Sequence, residues 1–137
     1  MICHLHVPYR PTPQQRHRHT RGGRSYDPCC DLKREFLKLC LAVRRPPGAP
    51  WHTRAVECTL VFTFARPKSH RTAKGALRKG APVRHVYKPD TDNLAKFVMD
   101  ALNGTYYHDD SQVCALHVIK RYGSENSVRV ELEYGDE

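Results

Sequence analysis

Across 137 residues the chain carries 23 Lys+Arg against 14 Asp+Glu, a formal net charge of +9. That length suits one domain with a core large enough to stand without staples, and no run approaches the roughly 18 apolar residues of a membrane span. The opening MICHLHVPYR lacks the apolar stretch of a signal peptide and the six cysteines form no CxxC pair, so a soluble intracellular protein with reduced, structural thiols is expected.

Residues 2–7 read as an edge strand ended by Pro8, which cannot donate a ladder hydrogen bond. A zinc site on Cys3, His4 and His6 would lack a second ligand pair. A basic loop follows over about 9–26, with Arg10, Arg16, Arg18, Arg21 and Arg24 and no acid before Asp27. It is either a solvated loop or a phosphate clamp, since Arg gives bidentate phosphate contacts. From Asp31, Leu32, Phe36, Leu39, Cys40 and Val43 recur at helical spacing, and RRPPGAP (44–50) ends that helix.

Strict alternation from Val56 to Phe64 predicts a strand with Val56, Cys58, Leu60, Phe62 and Phe64 on one face. Residues 66–88 then carry eight Lys or Arg and no acid, including Arg66, Lys68, Arg71 and Lys88. Their low apolar content predicts a mobile loop, either merely solubilising or ordered on DNA. Leu94, Val98, Ala101 and Leu102 form a second helical stripe, stopped at Asn103-Gly104. Val113–Lys120 and Val128–Tyr134 read as two strands of an antiparallel hairpin turning through 122–126.

Charge is divided along the chain: 19 Lys+Arg against 4 Asp+Glu up to Pro89, then 4 against 10 from Asp90 onward. A basic body of this kind attracts a polyanion, which an acidic spot would repel unless divalent cations sat there first. Asp90 and Asp92 lie on one side of the second helix and Asp109 and Asp110 on the other, so the helix is expected to carry the chain from one acidic cluster back to the other. One of the first pair could cap the helix, which explains one acid and not four. Of Asp109 and Asp110, alternation at a strand start points only one toward the first pair, without saying which.

Clustered carboxylates repel unless protonated or cation-bound, and hard oxygen ligands suit Mg²⁺ or Mn²⁺ better than zinc. Such a site could hydrolyse a phosphodiester. Lys96, four residues after Asp92, makes either a surface ion pair or a contact to the scissile phosphate. An EF-hand is excluded because Leu94 and Ala95 stand where ligand and glycine are needed. An aspartyl phosphotransferase is excluded because Tyr87-Lys88-Pro89, not an apolar strand, precedes the acids.

The stretches KPDTDNLAKFVMDALNG, DDSQV and KRYG, with PTPQQRHR, GRSYDP and FARPKS upstream, resemble the RusA-like Holliday junction resolvases. The resemblance covers most of the chain and implies a single α+β domain over 1–137, a small mixed sheet with two main helices packed on it. It further implies a homodimeric, Mg²⁺-dependent endonuclease (Mn²⁺ substituting) that acts on branched DNA in recombination and repair. Bacterial cytoplasm is the implied location, with a cellular, prophage or phage origin. Asp90, Asp92 and Asp110 match the family's metal-binding catalytic acids, Lys96 its catalytic lysine, and Asn93 a structural position. Arg16, Arg18, Arg24, Arg66, Lys68, Arg71 and Lys88 are the candidate DNA contacts. Tyr87, Tyr106 and Tyr107 are either base-stacking or buried, and His108 either a base, a ligand or a bystander. A flap or fork nickase, and a non-catalytic DNA-binding module with a structural cation, are the alternatives.

Overall fold

A computed structural model describes residues 1–135. In chain order the elements are β1 (Ile2–Val7), β2 (Arg18–His19), β3 (Ser25–Tyr26), α1 (Cys30–Val43), β4 (Val56–Ala65), α2 (Thr91–Leu102), β5 (Val113–Gly123) and β6 (Ser127–Tyr134). Four strands form a mixed sheet in the order β1-β6-β4-β5, with only the β4–β5 pair parallel, and β2–β3 make a separate two-stranded ladder. This is the expected α+β arrangement.

The sheet's inner face is built by period-2 alternation, clearest in β1, β6 and the first half of β4, where every second side chain is buried. Leu5, Val130, Leu60 and Val118 lie in one register row across all four strands. α2 buries Leu94, Phe97, Val98, Ala101 and Leu102, and Phe97 meets Phe36 of α1 edge-on with ring centroids 6.0 Å apart. Tyr106 and Tyr107 belong to this core: their hydroxyls donate to Arg44 O and Met99 O, both at 2.6 Å. Burial pushes the Cys40 and Cys58 thiols up to about 12, as expected of inert structural cysteines. Among the described residues no helix is long and apolar enough to cross a membrane.

Three expectations are corrected. β5 and β6 are not a hairpin, because β4 lies between them and pairs with both. Their short connection arches over the end of β4, where Ala65 N donates to Asn126 Oδ1 (2.9 Å) and Arg66 N to Gly123 O (3.0 Å). With neighbours on both sides, β4 buries Val61 and Thr63 as well as its alternating apolar residues. In α1, Phe36 and Cys40 are fully buried but Leu32 and Val43 are exposed at 40% and 47%. The helix packs on β1 and α2 through the face that carries Phe36 and Cys40.

Residues 66–88, expected to be mobile, are fastened to the edge of β5. Tyr122 N donates to Val83 O (2.9 Å), His85 N to Lys120 O (3.3 Å), and the Arg66 guanidinium to Pro82 O (2.7 Å) while lying 5.7 Å from the Tyr122 ring. Low apolar content misleads here because backbone bonds and aromatic stacking, rather than apolar burial, hold the segment.

The β5–β6 connection depends on Gly123. A Cβ there would stand 2.5 Å from Thr63 Cγ2, and Thr63 cannot swing away freely because its Oγ1 accepts from Arg121 Nε at 3.1 Å. Gly123→Ala should lower stability by about 1–3 kcal/mol, as overpacking does. Chemical denaturation would read the effect as an earlier midpoint with an unchanged slope.

Candidate functional site

α2 is flanked by Asp90, reached through a cis Lys88–Pro89 peptide, and by Asn103, which is followed by Gly104 in the left-handed region at φ +80°. Asp90 occupies the N-cap position, yet its side chain makes no cap hydrogen bond. Asp92, in the first turn, has Oδ1 accepting from the adjacent Asn93 N–H at 2.9 Å. Asn93 contributes its backbone carbonyl to the Gln14 N–H (2.9 Å), tying the 9–26 loop to the helix start. Lys96 is exposed one turn beyond Asp92, and the two are not ion-paired.

At the other end of α2, Asn103 Oδ1 accepts the Asp110 N–H at 2.7 Å. Residues 110–112 form a one-turn helix rather than a strand start, with Asp109 as its cap. Asp109 N donates to Gln112 Oε1 (2.8 Å), and the Asp109 carboxylate accepts from the Ser111 hydroxyl (2.8 Å). That hydroxyl bond holds the Asp109 carboxyl below its ordinary value, whereas burial and the adjacent Asp109 charge push Asp110 up. Asp109 therefore has a structural task, and Asp110 is the neighbour without one.

Asp90 and Asp110 are thus fixed to opposite ends of a twelve-residue helix, about 18 Å at 1.5 Å per residue. A carboxylate side chain reaches only a fraction of that. Within one chain the structure does not bring Asp110 to Asp90 and Asp92, and the expectation that the helix returns the chain to its first acidic cluster is corrected. Accordingly, among the described residues no three His, Cys, Asp or Glu side chains converge on a metal position. Asp90, Asp92 and Asp110 make no ion pair among those residues despite the basic surroundings.

Sequence reasoning missed five side chains that brace these ends. Lys33 on α1 contacts both Asp27 and, at 3.6 Å, Asp100 on α2, whose charge contributes to raising Asp110. Gln14 Nε2 donates to Asp27 Oδ1 at 2.9 Å. Lys120 on β5 donates to the Tyr87 carbonyl and lies near Asp90; burial lowers its pKa and the Asp90 charge opposes that shift. Only Asp100 had a local signal, four residues after Lys96 on the same helix stripe.

Among the candidate DNA contacts, Arg16, Arg18, Arg24, Lys68 and Lys88 are exposed, Arg18 reaching Gln15 Oε1 at 3.2 Å. Arg66 holds its own loop, and the Arg71 guanidinium donates to Gly75 O at 3.2 Å. Tyr87 is 70% exposed, and His108 is exposed with its N–H on His52 O. Lys88 also lines a cleft of about 730 Å³ whose wall includes Asp90, Asn93 and Arg10.

A family model described as endodeoxyribonuclease RusA matches residues 8–133. The chain is also 44% identical over 66 residues to a Bacillus subtilis (strain 168) protein described as uncharacterized protein YqaN. That match covers 48% of this chain and 42% of the relative, so the chain spans less than half of that relative's length.

The Asp27 brace has a pH signature. Burial alone would raise the Asp27 carboxyl, but the Lys33 ammonium, the Cys29 N–H and the Gln14 amide outweigh it and hold the group at about 2, against 3.8 ordinarily. A depressed folded-state pKa gives stability that is complete above about pH 4 and is lost as pH falls toward 2. Melting temperature followed from pH 5 to 2 should fall more steeply for the wild type than for Asp27→Asn. Parallel curves would show that the carboxylate does not brace the fold.

Proposed function

The chain belongs to the endodeoxyribonuclease RusA family, and from that premise we propose that two copies form a Mg²⁺-dependent, structure-selective endonuclease resolving four-way DNA junctions by paired phosphodiester cleavage. The observation that carries this reading is the presence of unpaired carboxylates at both ends of α2 in a chain of net charge +9. Hard, unpaired oxygen donors fit Mg²⁺, which is commonly held by one or two carboxylates together with water and substrate phosphate. Bound there, Mg²⁺, or Mn²⁺ in its place, would activate a water and offset charge on the leaving oxygen.

The length of α2 determines how the acids combine. Asp90 and Asp92 of one copy meet Asp110 of a second when the helices run antiparallel about a two-fold axis, which makes two equivalent sites. Paired sites suit paired nicks. The N-terminus of α2 favours a phosphate beside Asp90. Lys96, on the face of Asp92 and free of an ion pair, stabilises charge on the phosphoryl group as it is attacked. The exposed Arg16, Arg18, Arg24, Lys68 and Lys88 neutralise flanking phosphates, and Arg66 and Arg71 contribute by holding their loop in place.

Shared sites make a mixing experiment decisive. Asp110→Asn and the double variant Asp90→Asn, Asp92→Asn should each bind a four-way junction yet cleave it at least 100-fold more slowly with Mg²⁺, and EDTA should silence the wild type. Mixing the two inactive proteins under exchange conditions should restore cleavage, because each mixed dimer contains one intact site. A mixture that stays inactive, with dimer exchange verified, would mean that each chain carries its own complete set.

Replacing Arg16, Arg18 and Lys68 by Ala should flatten the dependence of junction affinity on log salt by about 0.9 for each phosphate left without its cation. Titrations between 50 and 200 mM salt, on the order of the range where such slopes are measured, would read it. An unchanged slope would mark them as bystanders.

A further inference from the structure

β5 lies at the edge of the sheet with β4 on one side, and its other side is occupied only toward its C-terminal end. There Lys120 O accepts from His85 N at 3.3 Å and Tyr122 N donates to Val83 O at 2.9 Å. Along Val113–Ile119 no backbone bond is made on that side among the described residues. Every second residue of a strand points its N–H and C=O the same way. Past the irregularity that leaves Cys114 out of the ladder, Leu116 and Val118 therefore present both groups to the open edge, as Lys120 and Tyr122 do to the 83–85 segment.

Sheets blunt free edges with charge or proline. Val113–Ile119 reads VCALHVI and has neither, in a chain whose residues are 27% charged. Its flank toward the helices is open too: Leu116 stands in register with the buried Cys58, yet it is 45% exposed. β1, at the other edge, is also uncharged, but its inward Cys3, Leu5 and Val7 are fully buried and α1 packs on it. Free backbone groups and an uncovered apolar flank come together on β5.

We propose that Val113–Ile119 pairs antiparallel with the same stretch of a second copy, about a two-fold axis through Leu116, joining the two four-stranded sheets into one. At the axis each Leu116 exchanges N–H and C=O bonds with Leu116 of the second copy, and the two side chains cover each other on the helix face. The 83–85 segment, seated from Lys120 onward, stops the pairing at both ends and so fixes the register at the midpoint of the free stretch. That stretch spans about 20 Å at roughly 3.3 Å per residue, close to the roughly 18 Å of α2. β5 leaves the turn at Asp110 and runs back to Lys120, which feels the Asp90 charge. The two-fold therefore turns the Asp110 end of one copy onto the Asp90 end of the other, on the side of the joined sheet that carries the helices. Pairing through β1 would leave those ends on the far side of the sheet. The inference rests on the reading of the acids as a site shared between copies, and it supplies the interface.

Single cysteines placed in turn at Ala115, Leu116, His117 and Val118, and at Ile2, His4 and His6 on β1, would locate the axis in a background of Cys30→Ser and Cys114→Ser. Under mild oxidation Leu116→Cys is expected to form disulfide dimers at least about tenfold faster than its neighbours, because only the residue on a two-fold axis meets itself, with Cα atoms about 5.5 Å apart. Fastest cross-linking on β1, or equal rates at every position, would overturn the pairing. Leu116→Pro removes an N–H that β4 does not use, so it should keep the wild-type melting transition yet sediment as a monomer at concentrations where the wild type is a dimer. A folded Leu116→Pro that dimerises like the wild type, or a wild type that stays monomeric, would also overturn it, and a Leu116→Pro that fails to fold leaves the decision to the cysteine series. A dimer locked at Leu116→Cys that cleaves no junction would keep the interface and defeat the nuclease reading. Cleavage restored by mixing the Asp110 and Asp90/Asp92 variants, without cross-linking at Leu116→Cys, would do the reverse.

Discussion

The rise per residue of α2 is the constraint on which the functional arrangement depends. A helix cannot shorten, and α2 cannot bend away, because Leu94, Phe97, Val98, Ala101 and Leu102 are buried in the core. Asp90 and Asp92 sit at its start, and the Asp110 backbone is tied to Asn103 just past its end. The separation has an electrostatic advantage. Gathering all of these carboxylates in one chain would oppose folding through like-charge repulsion, whereas parted ends let the monomer fold first. In the proposed dimer their repulsion would be met only where a cation and a second copy are present.

Charge counts along the sequence overstate how many cations are free to meet DNA. Arg66 is used on Pro82 O and the Tyr122 ring, Arg71 on Gly75 O, Lys33 between Asp27 and Asp100, and Lys120 on the Tyr87 carbonyl. Each fastens a loop or joins two elements. The basic surface that remains is smaller and more rigid than a disordered basic tail would be, and it carries Lys88 directly into the wall of the cleft at Asp90. Positive charge in this fold first positions the backbone, and the remainder faces outward.

Sequence periodicity located both helices, the first strand and the long strand, because those signals are local: alternation in β4, the 3-4 stripe in α2 and the Asn103-Gly104 stop. Strand order was not legible. Alternation in β6 records which side chains face the core, but a strand pattern carries no information about which strand lies beside which, and so β4 could slip between two strands that look like a hairpin. At the site, the acids themselves were visible as residue types at motif spacing. Their separation was visible too, in the twelve-residue helix that starts at the first cluster and runs toward the second, but treating the helix as a return path obscured it. Alternation left Asp109 and Asp110 undistinguished and the resemblance pointed to Asp110; the Ser111 and Gln112 bonds add that Asp109 caps the one-turn helix, while the Asp27–Lys33–Asp100 brace joins positions too far apart in sequence for any pattern to reveal.

That brace connects the two ends of α2 from outside the helix. From the start of α2, Asn93 O holds the Gln14 backbone, Gln14 holds Asp27, Asp27 holds Lys33, and Lys33 reaches Asp100 in the last turn. The loop that contributes Arg10 and Gln14 to the cleft is therefore fixed to the same helix that carries both sets of acids. A load on the loop at Gln14 would reach α2 at Asn93 and, through Lys33, at Asp100 beside Asp110. The cleft wall and the Asp110 end of α2 are thus joined by one chain of contacts, which the proposed two-fold pairing would bring to the second copy.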